Sequence, residues 1–350
     1  MAAESGRGRQ PSQADVARAA GVSAQTVSRV VSGHPNVRPE TARRVRQAME
    51  ELRYRLNSSA SALATARTRV IGVINVATNN YSTGAVALGI EAAAAAEGYT
   101  VTTATVPEHA TRDDYLAVFD RLERQGAEGI ILAAPITFED DALRLRMERT
   151  PTAYSDHSGA PDERMVPNQR EMGRLATEHL LSLGHKTVWH ISGNPAWPEA
   201  QEREKGWENA LQEKGIVPPP VFPGDWTPES GYRAGKTLAS IPGVTAVFVS
   251  SDEMAFGLLK ALNESGLSVP EDVSVVGVDD IALAEYATPP LTTVRQPFAA
   301  LGRTTAARLI DQIEQREPQS TPPVEAELVI RSSTGARTKS SPAAPKLPSR

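Results

Sequence analysis

Residues 12–32 read SQADVARAAGVSAQTVSRVVS, and the side chains there that could do chemistry are sorted onto one side of a short helical pattern. Val27, Val30 and Val31 fall at i, i+3 and i+4 and turn inward, which leaves Ala24, Gln25, Ser28 and Arg29 on the opposite face. An amide, a hydroxyl and a guanidinium side by side suit hydrogen bonding to base edges and phosphates in a DNA groove; they supply no nucleophile or general base. The preceding segment must hold that face still. Ser12 and Asp15 have the spacing of a capping box, Val16, Ala17 and Ala20 face inward, and Gly21 supplies the left-handed conformation of a tight bend. Val22 fills the corner and Ser23 caps the next helix. Residues 39–54 add a third helix, with Pro39 in its first turn and Val45, Ala48, Met49 and Leu52 on one stripe. The pattern predicts a helix-turn-helix; an ordinary helical hairpin is the alternative.

Other chemistries are missing. The 350 residues include no cysteine, so a disulfide framework, a thiolate metal site and a cysteine nucleophile are excluded. Neither GxGxxG after the first strand nor GxxxxGK[ST], HExxH or GxSxG occurs. His34, His109, His157, His179, His185 and His190 show no metal-ligand spacing, and His185, in LGH before a strand, reads as a loop-corner group. No enzyme activity, metal or cofactor is expected. Charge is distributed unevenly. Residues 1–67 carry 11 Arg and no Lys against 5 acids, about +6, whereas the remainder holds 26 bases against 37 acids, about −11. A basic head on an acidic body suits one end touching phosphates. The alanine run at 92–96 is flanked by Glu91 and Glu97 and reads as helix, and no signal-type segment opens the chain, so a cytoplasmic protein without membrane contact is expected.

From Arg69 onward short aliphatic runs alternate with helical patterns: VIGVINV, then 84–98; YTVTTATV, then 111–125; GIILAA, then 139–149. After TAYSD the rhythm restarts with 170–183, KTVWHISG, 199–215, 229–240, AVFVSSD, 254–266 and VSVVGVDD. This is the pattern of parallel sheets covered by helices. It predicts an all-α helix-turn-helix headpiece followed by an α/β body of two doubly wound lobes. LTTVRQP, a helix at 298–315 and ELVIRSST suggest crossings back between the lobes. In such folds a ligand sits beyond the carboxyl ends of the strands. The expected divisions are a headpiece at 1–56, a hinge at 57–68, a two-lobed body at 69–335 and a disordered tail at 336–350.

DVARAAGVSAQTVSRVVSG followed by VRPETARRVRQAMEELRY resembles the headpiece of the lactose-repressor (LacI/GalR) family. AQEREKGWENAL, GDWTPESGY, SSDEMAFGLLKALNESGLSVPEDVSVVGVDD and PPLTTVRQP are similar to its effector domain, closest to the sugar-responsive branch. The resemblance implies a periplasmic-binding-protein-like body and a DNA-binding repressor, dimeric on a pseudo-palindromic operator and released by a small saccharide held between the lobes. It implies that Ala24 and Gln25 read bases, that Arg29 makes a later base contact, and that Ser23, Thr26 and Ser28 are positioned on phosphates. Leu63 occupies the place of the leucine that a hinge helix inserts into the minor groove. Leu56, where proline is usual, and Ser61, where Gln or Arg is common, depart from the pattern. For the effector, the resemblance implies a clamp of Arg203 and Asp279 with Trp226 packed on the sugar ring, and Asp156, Gln296 and Ser251 as further lining. Paired donors on Arg and paired acceptors on Asp suit adjacent hydroxyls, and an indole suits the apolar C–H face.

Plainer roles compete with these. Asp279 and Asp280 end a strand, where acids also cap the next helix, and Trp226 could be core; Trp207, inside a helical pattern, reads as core. A solute-binding protein would share the body but has no use for residues 12–32. An architectural DNA binder with a vestigial cleft is the other rival.

Overall fold

The computed structural model describes residues 11–31, 36–54, 66–77, 80–134, 136, 140–155, 168–317 and 325–337. The chain divides into two compact units, Met1–Thr68 and Arg69–Arg350.

Among the described residues the first unit holds three helices, α1 (Gln13–Ala20), α2 (Ala24–Val31) and α3 (Pro39–Glu51). The amide of Ser12 donates to the Asp15 carboxylate at 2.8 Å, and the Asp15 amide donates back to the Ser12 hydroxyl at 3.3 Å. That reciprocal box starts α1, and Gly21, at φ 64°, ends it. Ser23 then accepts from the Thr26 amide at 3.1 Å and opens α2. Val16, Val27 and Val45, one from each helix, are fully buried and form the centre of the core; Met49 and Leu52 only flank it.

The second unit contains two sheets. In the first lobe β1 (Val70–Val76), β2 (Thr100–Val106), β3 (Ala127–Ala133) and β4 (Thr152–Tyr154) are parallel in the order β2-β1-β3-β4. Its helices are α4 (Tyr81–Ala96), α5 (Arg112–Arg124) and α6 (Asp141–Arg149). The period of two along β1 assigns Ile71 and Val73 to one apolar cluster and Ile74 and Val76 to another, so the sheet is covered on both faces.

The second lobe contains α7 (Gln169–Ser182), β5 (Trp189–Ser192), α8 (Pro198–Gln212), β6 (Phe222–Pro223), α9 (Pro228–Leu238), β7 (Ala246–Val249), α10 (Asp252–Glu264), β8 (Ser274–Asp279) and β9 (Thr292–Arg295). The chain then returns to the first lobe, where α11 (Phe298–Ile313) packs on α4, and comes back as β10 (Glu327–Val329), antiparallel to β9. The sheet order is β10-β9-β8-β7-β5-β6.

Three helix pairs cross at reciprocal glycines. A Cβ on Gly89 or Gly302 would strike the backbone of the partner helix in the α4–α11 pair. The same holds for Gly173 and Gly206 between α7 and α8, and for Gly231 and Gly257 between α9 and α10. The crossing at Gly173 lies against the backbone of Arg203 and sets how deep that residue sits.

Several helix starts fall earlier than the sequence pattern places them: α4 at Tyr81, α7 at Gln169 and α10 at Asp252. For α7 and α10 the reason is local capping. Asn168 accepts from the Glu171 amide and Ser251 from the Met254 amide, which draws polar residues into the first turn ahead of the apolar stripe. Among the described residues no helix is long and apolar enough to cross a membrane.

Candidate functional site

In the headpiece the valine stripe of α2 is turned into the core, and Ser23, Ala24, Gln25, Ser28 and Arg29 are exposed, with Thr26 half-buried. The Ser23 and Thr26 hydroxyls lie 2.9 Å apart, and Gln13 of α1 donates to the carbonyl of Ala24 at 3.2 Å, which pins the start of the exposed face. Leu63 lies outside the described residues, as do Leu56 and Ser61.

In the body a cleft opens beyond the carboxyl ends of the strands, between the two lobes. Arg203, Trp226, Ser251, Asp279 and Gln296 all line it, although they come from α8, the β6–α9 loop, the cap of α10, the end of β8 and the crossing into α11. Asp156 lies outside the described residues; its neighbour Ser155 lines the cleft. The first lobe contributes a mixed wall in which Val76, Val86, Phe298 and Leu301 alternate with Asn80, Ser82, Thr83 and Ser155.

Arg203 and Asp279 are buried, at 4% and 8% exposure, and are joined by two glutamines instead of a direct ion pair. Nε of Arg203 donates to Oε1 of Gln169 at 2.7 Å, Nε2 of Gln169 donates to Oε1 of Gln296 at 3.0 Å, and Nε2 of Gln296 donates to Oδ1 of Asp279 at 2.7 Å. Arg203 Nη1 donates to the carbonyl of Ser250. Among the described residues Nη2 of Arg203 and Oδ2 of Asp279 have no hydrogen-bond partner. Burial lowers the pKa of Arg203, opposed by Asp279 and Glu199; a guanidinium nonetheless stays charged. Burial pushes Asp279 up to about 7, with Arg203 and Gln296 pulling it down and Glu253 adding to the rise.

Strain is concentrated here. Trp226 at φ 70°, Asp279 at φ 118° and Asp280 at φ 55° hold backbone angles that side chains avoid, each costing roughly 1–3 kcal/mol. Their surroundings enforce the angles. Gly193 leaves room for the Trp226 indole, which a Cβ would strike. Asp280 points away from Asp279 and is held by Arg295 at 2.7 Å and Arg331 at 2.6 Å. Neither acid makes a helix cap; only Asp279 faces the cleft. Among the described residues the buried indole N–H of Trp226 has no partner, a deficit of about 1–3 kcal/mol that an acceptor would relieve.

Trp207 is core, donating to the carbonyl of Val188 at 2.9 Å. His185 is a buried corner group between Thr245 and Ser274, and burial between Trp207 and Phe248 pushes His190 down to about 3, so it stays neutral.

Four residues were not singled out by the sequence. Gln169 carries the relay. Trp197 and Glu253 line the cleft, and burial pushes the Glu253 carboxyl up, with the Tyr81 backbone of the other lobe pulling it down. Asp252, fully buried, accepts from the Ile281 amide at 3.0 Å and the Thr293 hydroxyl at 2.6 Å, and so braces the strained turn after β8. The available signal was position: Trp197 and Asp252 each follow a strand's carboxyl end.

Residues 14–57 match the model of the bacterial regulatory proteins of the lacI family, and residues 177–334 match the periplasmic binding protein-like domain. The transcriptional regulator CelR of Thermobifida fusca is 35% identical over 89% of this chain and 95% of its own length. The chain belongs to the LacI family. It is therefore a DNA-binding transcriptional regulator with a ligand-binding body. Among solved LacI-family structures, a lac repressor dimer bound to operator and the anti-inducer ONPF is 31% identical, with a TM-score of 0.82 over 94% of this chain and 100% of that one. A complex of CelR with cellobiose is 32% identical, with a TM-score of 0.66 over 92% and 99%.

Proposed function

We propose that the chain is a repressor that binds a pseudo-palindromic operator as a homodimer and is released by a small saccharide bound between the lobes of its body. The observation that carries the ligand half is the Arg203–Asp279 pair: two buried charges held apart, each with one polar atom unengaged among the described residues. A vicinal diol bridges such a gap, accepting from the guanidinium and donating to the carboxylate. Trp226 supplies the apolar cover, and Gln296 and Ser251 complete the wall. The CelR–cellobiose complex and the lac repressor dimer on operator, both similar along most of this chain, support ligand and operator respectively.

On DNA, Gln25 would take adenine, Arg29 the N7 and O6 of guanine, and Ala24 only a thymine methyl, with Ser23, Thr26 and Ser28 on phosphates and Leu63 in the minor groove. A ligand that touches both lobes prefers one lobe spacing, and release follows if the DNA-bound dimer prefers the other.

The test is a gel-shift titration on the operator footprinted upstream of the gene, with a saccharide panel. Arg203→Ala abolishes the sugar response and leaves operator affinity nearly intact. Arg29→Ala does the reverse, weakening the operator about ten- to a hundredfold. Swapped outcomes would sink the assignment.

A further inference from the structure

The strained end of β8 is held from a part of the chain that stays outside the cleft. Among the described residues none beyond Leu301 lines the cleft, yet β10 and the residues after it close on the turn that presents Asp279. Asp279 and Asp280 stand at consecutive positive φ angles, which two adjacent non-glycine residues keep only where their surroundings impose them. Two devices do so. On the inner side Asp252 accepts from the Ile281 amide and from the Thr293 hydroxyl, which in turn accepts from the Asp280 amide at 3.3 Å. On the outer side both oxygens of the Asp280 carboxylate are taken, Oδ2 by Nε of Arg295 and Oδ1 by Nη2 of Arg331.

Arg331 does more than pair with an acid. Its Nη1 donates to the carbonyl of Leu291 at 2.8 Å, so one planar guanidinium ties residue 280, where the chain leaves β8, to residue 291, where it enters β9. Its own backbone is fixed. The Arg331 amide donates to the Thr292 hydroxyl at 2.9 Å, and the buried Ser333 hydroxyl accepts from the Thr292 amide and donates to the Val275 carbonyl. The Asp280 side chain is only 9% exposed and that of Arg331 17%, so water does not weaken this contact as it weakens an ion pair on open surface. With Asp280 locked outward, the backbone delivers the Asp279 side chain to the cleft, where Gln296 meets it.

We infer that Arg331 is a positioning residue for the effector clamp: acting through Asp280, it makes the last strand and the residues after it part of the effector site without touching the effector. The binding arm of the test rests on the saccharide reading above; the second arm does not. Isothermal titration of the full chain uses neutral hexoses and their disaccharides. Arg331→Met lowers affinity about tenfold or more, Arg331→Lys recovers most of it, and Asp280→Asn lowers it as Arg331→Met does. In the double variant the losses do not add, because both residues act through one contact. Arg146→Ala, which breaks the ion network of Arg146 with Asp120 and Glu123 on the first lobe, loses stability in a thermal melt and leaves affinity unchanged. An equal loss of affinity in Arg146→Ala, additive losses, or an unaltered affinity in Arg331→Met overturns the inference. The second arm needs no sugar. A crystal structure of ligand-free Arg331→Met, or of Asp280→Asn if the first does not fold, shows φ at Asp279 or Asp280 relaxed to negative values and the Gln296 contact opened. Both angles kept and the contact intact overturn the inference whatever the titration gives. If no saccharide binds the unaltered chain, the saccharide reading falls and this structure alone decides.

Discussion

The exposed face of α2 and the wall of the cleft, the two surfaces proposed for recognition, are built on opposite terms. Gln25, Ser28 and Arg29 point to solvent from one two-turn helix, supported by the valines behind them and by caps a few residues away. Arg203, Asp279, Gln169 and Gln296 are buried, come from four places in the chain, and hold one another in position. A surface of the first kind can change its target by exchange of side chains at little cost to the fold. A surface of the second kind stores strain and buried charge, so changes in recognition and changes in stability arrive together.

The sharpest way to break that contrast is Asp279→Asn. It leaves the Gln296 contact possible but removes the carboxylate facing Arg203. Burial already pushes the Asp279 carboxyl toward its neutral form, so the neutral amide should raise the urea-unfolding midpoint at pH 8 while abolishing the sugar response. Gln25→Ala should leave the unfolding midpoint where it was and alter only operator preference. Equal stability of the two variants would show that the cleft is not strained as described.

The same contrast explains what could be read in advance. What starts, turns and sorts the first two headpiece helices is local: the Ser12–Asp15 box, the turn at Gly21 and the Val27–Val30 stripe lie within a few residues of what they control. The sheets were legible too, because buried parallel strands are plain aliphatic runs. The cleft was not legible by pattern. Arg203, Trp226, Ser251, Asp279 and Gln296 were reached through resemblance and do converge. Gln169 was missed because its role is defined by partners 34 and 127 positions away, and it sits one residue before the expected helix start. Asp252 was missed for a like reason: its partners, Ile281 and Thr293, are 29 and 41 positions off.

Gln169 gives the next test. Gln169→Leu keeps the volume nearly constant but leaves Nε of Arg203 and Oε1 of Gln296 without partners, at a cost of about 2 kcal/mol. Effector affinity should fall about tenfold while operator affinity without sugar stays unchanged. An unaltered sugar titration would mean that the two glutamines fill space and do not position the clamp.

The smallest effect is a slope, and it has a sign. Asp279 is held at about 7 by burial, so at pH 6 most of the apo protein carries it protonated and at pH 8 most carries it ionised. Only the ionised form offers acceptors to a diol from both oxygens. Sugar affinity should therefore rise about tenfold from pH 6 to 8. Apo stability moves the other way: a carboxyl whose folded pKa exceeds its unfolded value near 4 stabilises the fold at acid pH, and that contribution is lost as pH rises through 7. Asp252, also pushed up by burial, adds to the same trend. Asp279 lies in the body, so operator binding without sugar is not tied to its titration. A sugar affinity that stays flat across this range would mean that the diol is met by Asp279 as a neutral acid, and the buried pair would then be a device for placing a proton donor instead of a charge.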